Sequence, residues 1–163
     1  MANGDVFNIS KGQCVSQYLR VFNGDPSTSR LVVVGIAATG LESDTTLIRR
    51  ATLADVITAG ATREWTASGY SRHVYVAADL PAYSPDNVND QALLDLPDPT
   101  WGPPVGTGGG DLAKLIVAYV PNIGTSTDAQ IVPMTLHDFP WTPDGVKGVS
   151  AQITGFFKSI KGA

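Results

Sequence analysis

Arg30-Leu-Val-Val-Val-Gly-Ile-Ala-Ala38 is the stretch on which the fold turns. Leu31, Val32, Val33, Val34 and Ile36 leave no polar alternation, so the run reads as a strand covered on both faces. Gly35 interrupts it, and it falls far short of the ~18 apolar residues that span a bilayer. Leu112-Ala-Lys-Leu-Ile-Val-Ala-Tyr-Val120 reads as a second strong strand, closed by Pro121-Asn122. Ile131 to Phe139 is a third, in which Pro133 permits only an edge position or a bulge. Arg72 to Ala78 alternates, with His73, Tyr75 and Ala77 on one face and Val74 and Val76 on the other. Shorter candidates are Val6 to Ile9 and Ala92 to Leu96. Ser150 to Ile160 is a last strand, with a short terminal helix as its competitor.

Helices are confined by proline. Pro26 is alone in the first 80 residues, and the other ten prolines lie between Pro81 and Pro143. Since proline removes a backbone donor and clashes inside a helix, long helices fit only before Pro81 or after Pro143. Val15, Tyr18, Leu19 and Phe22 recur at helical spacing, which predicts a helix capped by Ser10 and ended by Asn23-Gly24-Asp25-Pro26. A second, from Leu53 to Ala59, has Thr52 as its cap, Asp55 three residues on, and Gly60 as its stop. The expectation is therefore an α+β, β-dominated fold of four to seven strands. It takes the form of an antiparallel sandwich or barrel-like domain spanning residues 1–163, with one or two short helices in the N-terminal half.

The segment 81–111 stands apart as a long Pro/Gly/Asp-rich loop. From His73 to Ala113 there is no Lys or Arg, but there are six Asp. A connection of this length is either a surface loop or an arm that becomes ordered on a neighbouring subunit. Near its end lie Trp101-Gly102-Pro103-Pro104 and the cluster Gly106-Thr107-Gly108-Gly109-Gly110. Trp101 is first a core anchor and second, with Pro103 and Pro104, a candidate subunit contact.

Composition removes several classes of function. Eleven Lys+Arg against 15 Asp+Glu give a net charge of −4, contrary to a nucleic-acid binder that neutralises phosphates. Only 16% of residues are charged, against roughly 25% in ordinary soluble domains. Thr, Ser, Asn, Gly and Ala must then cover the surface. One cysteine, Cys14, excludes an internal disulfide and a multi-Cys zinc site. The opening residues lack the basic and apolar regions of a signal peptide, which points to synthesis and folding in a cytoplasm. Asn8-Ile9-Ser10 is accordingly read as a chance sequon.

Reactive motifs fare no better. Gly148-Val149-Ser150-Ala151-Gln152 lacks the closing glycine of a nucleophile elbow. Cys14 belongs to the apolar side of its helix and reads as an inert thiol. In His137-Asp138 the two side chains point to opposite faces of a strand, so adjacency opposes a direct contact; His137 and His73 read as structural residues. The glycine cluster is followed by Asp111 and a strand, not by the Lys-Ser/Thr of a phosphate loop. Asp86-Asn87-Val88-Asn89-Asp90 has the look of a calcium loop, but Val88 holds its third position and no glutamate closes it. Asp98 near Trp101 is the single hint of a sugar site. No catalytic, cofactor-binding or metal-ligating residue emerges.

A resemblance remains. Met1-Ala-Asn-Gly-Asp-Val-Phe-Asn-Ile-Ser-Lys-Gly12, Leu31-Val-Val-Val34, Ala38-Thr-Gly-Leu-Glu-Ser-Asp-Thr-Thr-Leu47 and Ile131-Val-Pro-Met-Thr-Leu-His-Asp-Phe139 resemble small capsid-associated proteins of tailed phages that infect actinobacteria. The resemblance implies a non-enzymatic virion protein, a decoration (cement) or minor capsid protein on an HK97-type head. It implies as partners the major capsid protein and further copies of itself, in a homotrimer, with no nucleic acid, membrane or cofactor. A tail tube or head–tail connector subunit is the nearest alternative, and a host-glycan-binding β-domain or hydrolase the more distant one.

Overall fold

The computed structural model describes residues 4–83, 85–89, 91–153 and 155–160. In chain order the elements are β1 (Asp5–Val6), α1 (Cys14–Phe22), β2 (Arg30–Ala37), α2 (Asp44–Leu47), α3 (Leu53–Thr58) and β3 (His73–Tyr75), followed by β4 (Gln91–Leu94), β5 (Thr100–Trp101), β6 (Leu112–Val120), β7 (Val132–Trp141), β8 (Val149–Ser150) and β9 (Phe157–Ile160). Five of these form an antiparallel sheet in the order β1-β7-β6-β2-β3, while β4 pairs with β9 and β5 with β8 as two separate ribbons. The fold is the expected β-dominated α+β class. The main sheet stays open, with β1 and β3 as its outer strands, so the barrel alternative is set aside.

The unbroken apolar run of β2 has the consequence its composition demands. Leu31 and Val33 join Leu115, Val117, Tyr119 and Met134 on one face, where Cys14, Tyr18 and Val21 of α1 and Leu94, Trp101 and Phe156 from the ribbon region cover them. Val32, Val34 and Ile36 join Ile116, Ala118, Val120 and Leu136 on the other, beneath Phe7, Leu47 of α2 and Leu53, Val56 and Ile57 of α3. Each such side chain contributes roughly 1.5–3 kcal/mol when fully buried. Both layers are therefore needed, and an antiparallel sheet with a wet face is not what this sequence encodes.

Local departures from the expected elements have local causes. Helix α1 begins at Cys14, because Gly12 takes φ 79° and breaks the turn that Ser10 was expected to start. The Ser10 hydroxyl instead donates to Pro133 O at 2.8 Å. Helix α3 carries the expected reciprocal cap, with Asp55 N–H on Thr52 Oγ1 and Thr52 N–H on Asp55 Oδ2, both 3.1 Å. Gly60 directly follows the Ala59 cap, as the expected stop, and it has a further use: a Cβ there would sit 2.1 Å from Glu42 Oε2, so the glycine admits that carboxylate.

The strand expected from Arg72 to Ala78 ends at Tyr75, since Asp79 Oδ2 captures the Val76 N–H and turns the chain into a 3-10 turn, Ala77–Asp79. Pro133 lies at a bulge, opposite Ala118 and past the residues that β1 pairs. The stretch from Ser150 to Ile160 is split between β8 and β9, and its described residues contain no terminal helix. Short helix α2 was not anticipated.

Candidate functional site

Segment 81–111 is tied to its own chain by several hydrogen bonds among the described residues. Pro81 O accepts from the Tyr18 hydroxyl, and Pro97 O accepts from that of Tyr75 at 2.8 Å. Asp95 and Asp98, which the sequence left as bare acids, hold backbone: Asp95 Oδ1 accepts from Gly155 N–H at 2.9 Å and Asp98 Oδ1 from Ile153 N–H at 2.8 Å. Two carboxylates thus fasten the loop to the C-terminal ribbon region. A peptide N–H aimed at an ionised acceptor is among the stronger hydrogen bonds available.

Trp101 is 2% exposed and donates its indole N–H to Ser71 O at 2.7 Å. Its ring lies edge-on to His73 at 4.9 Å and tilted against Tyr70 at 5.8 Å. Trp65 continues the chain of rings, 5.2 Å from Tyr70 and 5.9 Å from Trp141. Trp65 and Trp101 are interior packing, with Tyr70, His73 and Trp141 half-buried against them. Pro103 and Pro104 are at the surface beside Trp101. With Asp98 occupied and Trp101 covered, the two residues that hinted at a sugar site do not make an open one.

The glycine cluster is a packing device. Thr107–Gly109 form a 3-10 turn, the carbonyl of Gly110 accepts from Trp65 Nε1 at 2.9 Å, and a Cβ on Gly109 would lie 2.3 Å from the Ala67 nitrogen. Only hydrogen fits there.

The remaining candidates are equally engaged. Cys14 is buried, donates to Ser10 O, and burial pushes its thiol up to about 12. His137 is buried with Nε2 2.9 Å from Thr135 Oγ1, while Asp138 turns to the opposite face and pairs with Lys114. Lys114 also meets Asp44 at 2.8 Å, and although burial acts against its charge, the two carboxylates hold its pKa above the ordinary lysine value. His73 Nε2 is 2.8 Å from Thr100 O. Asp86 accepts from Val88 N–H, Asn89 N–H, Asn89 Nδ2 and Gln91 Nε2, bonds that pull its carboxyl down to about 2. That carboxylate organises a turn; its expected companion Asp90 lies outside the described residues. Among the described residues no three His, Cys, Asp or Glu side chains converge as a metal site. Nor is any helix among them long and apolar enough to cross a membrane.

One cluster escaped the sequence. Arg72 grips Glu64 through Nε and Nη2, at 2.9 and 2.6 Å, and Asp128 through Nη1 and Nη2, at 2.5 and 3.0 Å. Tyr70 adds its hydroxyl to Glu64 at 3.0 Å and accepts the Gly35 N–H at 2.9 Å. Nothing in the spacing of these residues announces the contact, because Asp128 comes from the β6–β7 connection, 56 positions away.

Close to Glu64 lies a cleft of about 460 Å³ between the end of β2, the end of α3 and the Thr107–Gly109 turn. Ala37 and Ile57 give it an apolar floor; Thr58, Thr66 and Arg63 surround it. Arg63 lends Nη1 to the carbonyls of Gly60 and Thr62. Hydroxyls, the Arg63 guanidinium, the Glu64 carboxylate and aliphatic surface line it together. Comparisons with protein-family models, with curated proteins and with solved structures find no match to this chain.

Proposed function

We propose that this chain is a structural protein of a phage head, a decoration or minor capsid protein that binds the shell and stabilises it. The capsid assignment rests on the resemblance of residues 1–12, 31–34, 38–47 and 131–139. The observation that carries a structural role is the occupancy of the chemically capable side chains described above. Asp95, Asp98 and Asp86 bind backbone, Glu64 and Asp128 bind Arg72, and Cys14 and His137 are buried. What remains outside is a surface of low charge whose currency is area.

The partner is the major capsid protein, together with further copies of this chain, a homotrimer being the expected arrangement. The mechanism is clamping. A protein that binds the expanded shell and not its precursor stabilises the expanded state by mass action, in proportion to RT ln(1 + [L]/Kd). The acidic stretch 79–111 is suited to meet a basic region of the shell. A tail tube or connector subunit differs in copy number and in its position along the particle.

The test is incorporation. Particles assembled in cells without this chain are expected to lose resistance to heat, and purified chain added back is expected to restore it. Particles of unchanged stability, or turnover of a substrate by the purified chain, would overturn the reading.

A further inference from the structure

The loop that leaves β7 ends in a turn built by one carboxylate. Asp144 Oδ1 accepts the backbone N–H groups of Val146 and Lys147, at 2.9 and 2.8 Å, and so presents Val146 to solvent with 72% of its surface exposed. A lone surface valine needs no explanation, and Val88 is raised by a similar aspartate-braced turn at Asp86. Val146 differs in what stands beside it. A Cβ on Gly145 would touch Thr107 Cγ2 at 3.8 Å, and Thr107 opens the three-residue turn whose last member, Gly109, lines the cleft. The apolar knob and the apolar-floored cleft therefore flank the same short turn.

Their charges are complementary. The knob carries Asp144, whose nearest cation is the exposed Lys147 at 3.5 Å, and the cleft carries Arg63, while the neighbouring Glu64 is already held by Arg72. At about 460 Å³ the cleft is at the low end of the ~300–1,000 Å³ of small-molecule pockets, roomy enough for a branched side chain and part of its turn. We propose that the occupant is a second copy of this chain, with Val146 of one copy entering the cleft of the next and Asp144 facing Arg63. A knob and socket on one end serve a reciprocal two-fold contact or a head-to-tail ring equally. The inference rests on the self-association contained in the proposed function and is independent of the shell: mass in solution tests the first, incorporation into particles the second.

Sedimentation velocity of the full chain, from low micromolar to several hundred micromolar, compares it with Val146→Asp and Thr58→Arg, both at exposed positions. The unaltered chain is expected to associate with rising concentration. Each variant is expected to weaken association about tenfold or more, with far-UV circular dichroism and Tm unchanged. Mixing Val146→Cys with Thr58→Cys under mild oxidation is expected to give an inter-chain disulfide faster than Ile9→Cys with Thr58→Cys. A chain that stays monomeric throughout, variants that associate as well as the original, or equal rates for the two cysteine pairs would each overturn the contact. So would a small organic molecule found in the cleft of a monomer.

Discussion

Arg72 joins residues that lie 8 and 56 positions away, through a planar fork that meets two carboxylates at once. Replacing it with Met leaves Glu64 and Asp128 without their shared cation, while Tyr70 still donates to Glu64. For groups about a quarter exposed, the expected loss is about 2 kcal/mol, below the ~3–5 kcal/mol of a fully buried pair; the midpoint of urea unfolding measures it, and an unchanged midpoint would refute the linkage. A second expectation concerns alkaline pH. Burial pushes Cys14 and Tyr18 up to about 12, with Asp95 adding to the effect on Tyr18, and burial likewise raises Tyr70 and Tyr75. Unfolded, these groups ionise near their ordinary values of ~8.5 and ~10. The unfolded chain then holds fewer protons than the native one, so stability is intact below about pH 9 and declines as pH rises towards about 12. Urea midpoints measured across that interval should fall steadily, and a flat profile would contradict the burial of these hydroxyls. Thr52 and Asp55 were legible as a cap because both partners lie within one turn. Arg72 was not, because its partners are set by tertiary return.

Among elements, β2, β6 and β7 were readable because each is long enough for its apolar pattern to outweigh local noise. The strands β4, β8 and β9 fall within or beside stretches that read as strands, Ala92 to Leu96 and Ser150 to Ile160, but β5 and the pairing of both ribbons were not legible, because two residues carry no period and the partners lie more than 40 positions apart. Cluster 106–110, which the sequence placed near the end of a long loop, is a fitted corner. Its residues are not equivalent. Nothing lies within 4 Å of a Cβ placed on Gly108, whereas one on Gly109 meets the Ala67 backbone at 2.3 Å. Gly109→Ala is therefore expected to lower stability by ~1–3 kcal/mol through overpacking, and Gly108→Ala to change it little. Equal thermal shifts in the two variants would mean that the corner yields.

For the whole molecule, the decisive property is a sheet covered on both faces by short helices, ribbons and loops of the same chain. The sequence showed that property in residues 31–36 and concealed how it is met, since the covering parts are the least periodic ones. The interior takes up the thiol and most of the aromatic surface, and hydrogen bonds or ion pairs engage most of the distinctive acids, leaving turns such as Asp144–Lys147 and the cleft beside Gly109 as features that other chains can meet. Val146→Asp belongs here as a prediction: a folded chain with weakened self-association.

The role proposed for this chain is to cover surface on a capsid shell. Quantitative gel densitometry of gradient-purified particles tests it most directly. That role requires a 17.1 kDa band near stoichiometric with the major shell protein. A band absent from intact particles, or present at the few copies of a single connector ring, would contradict it.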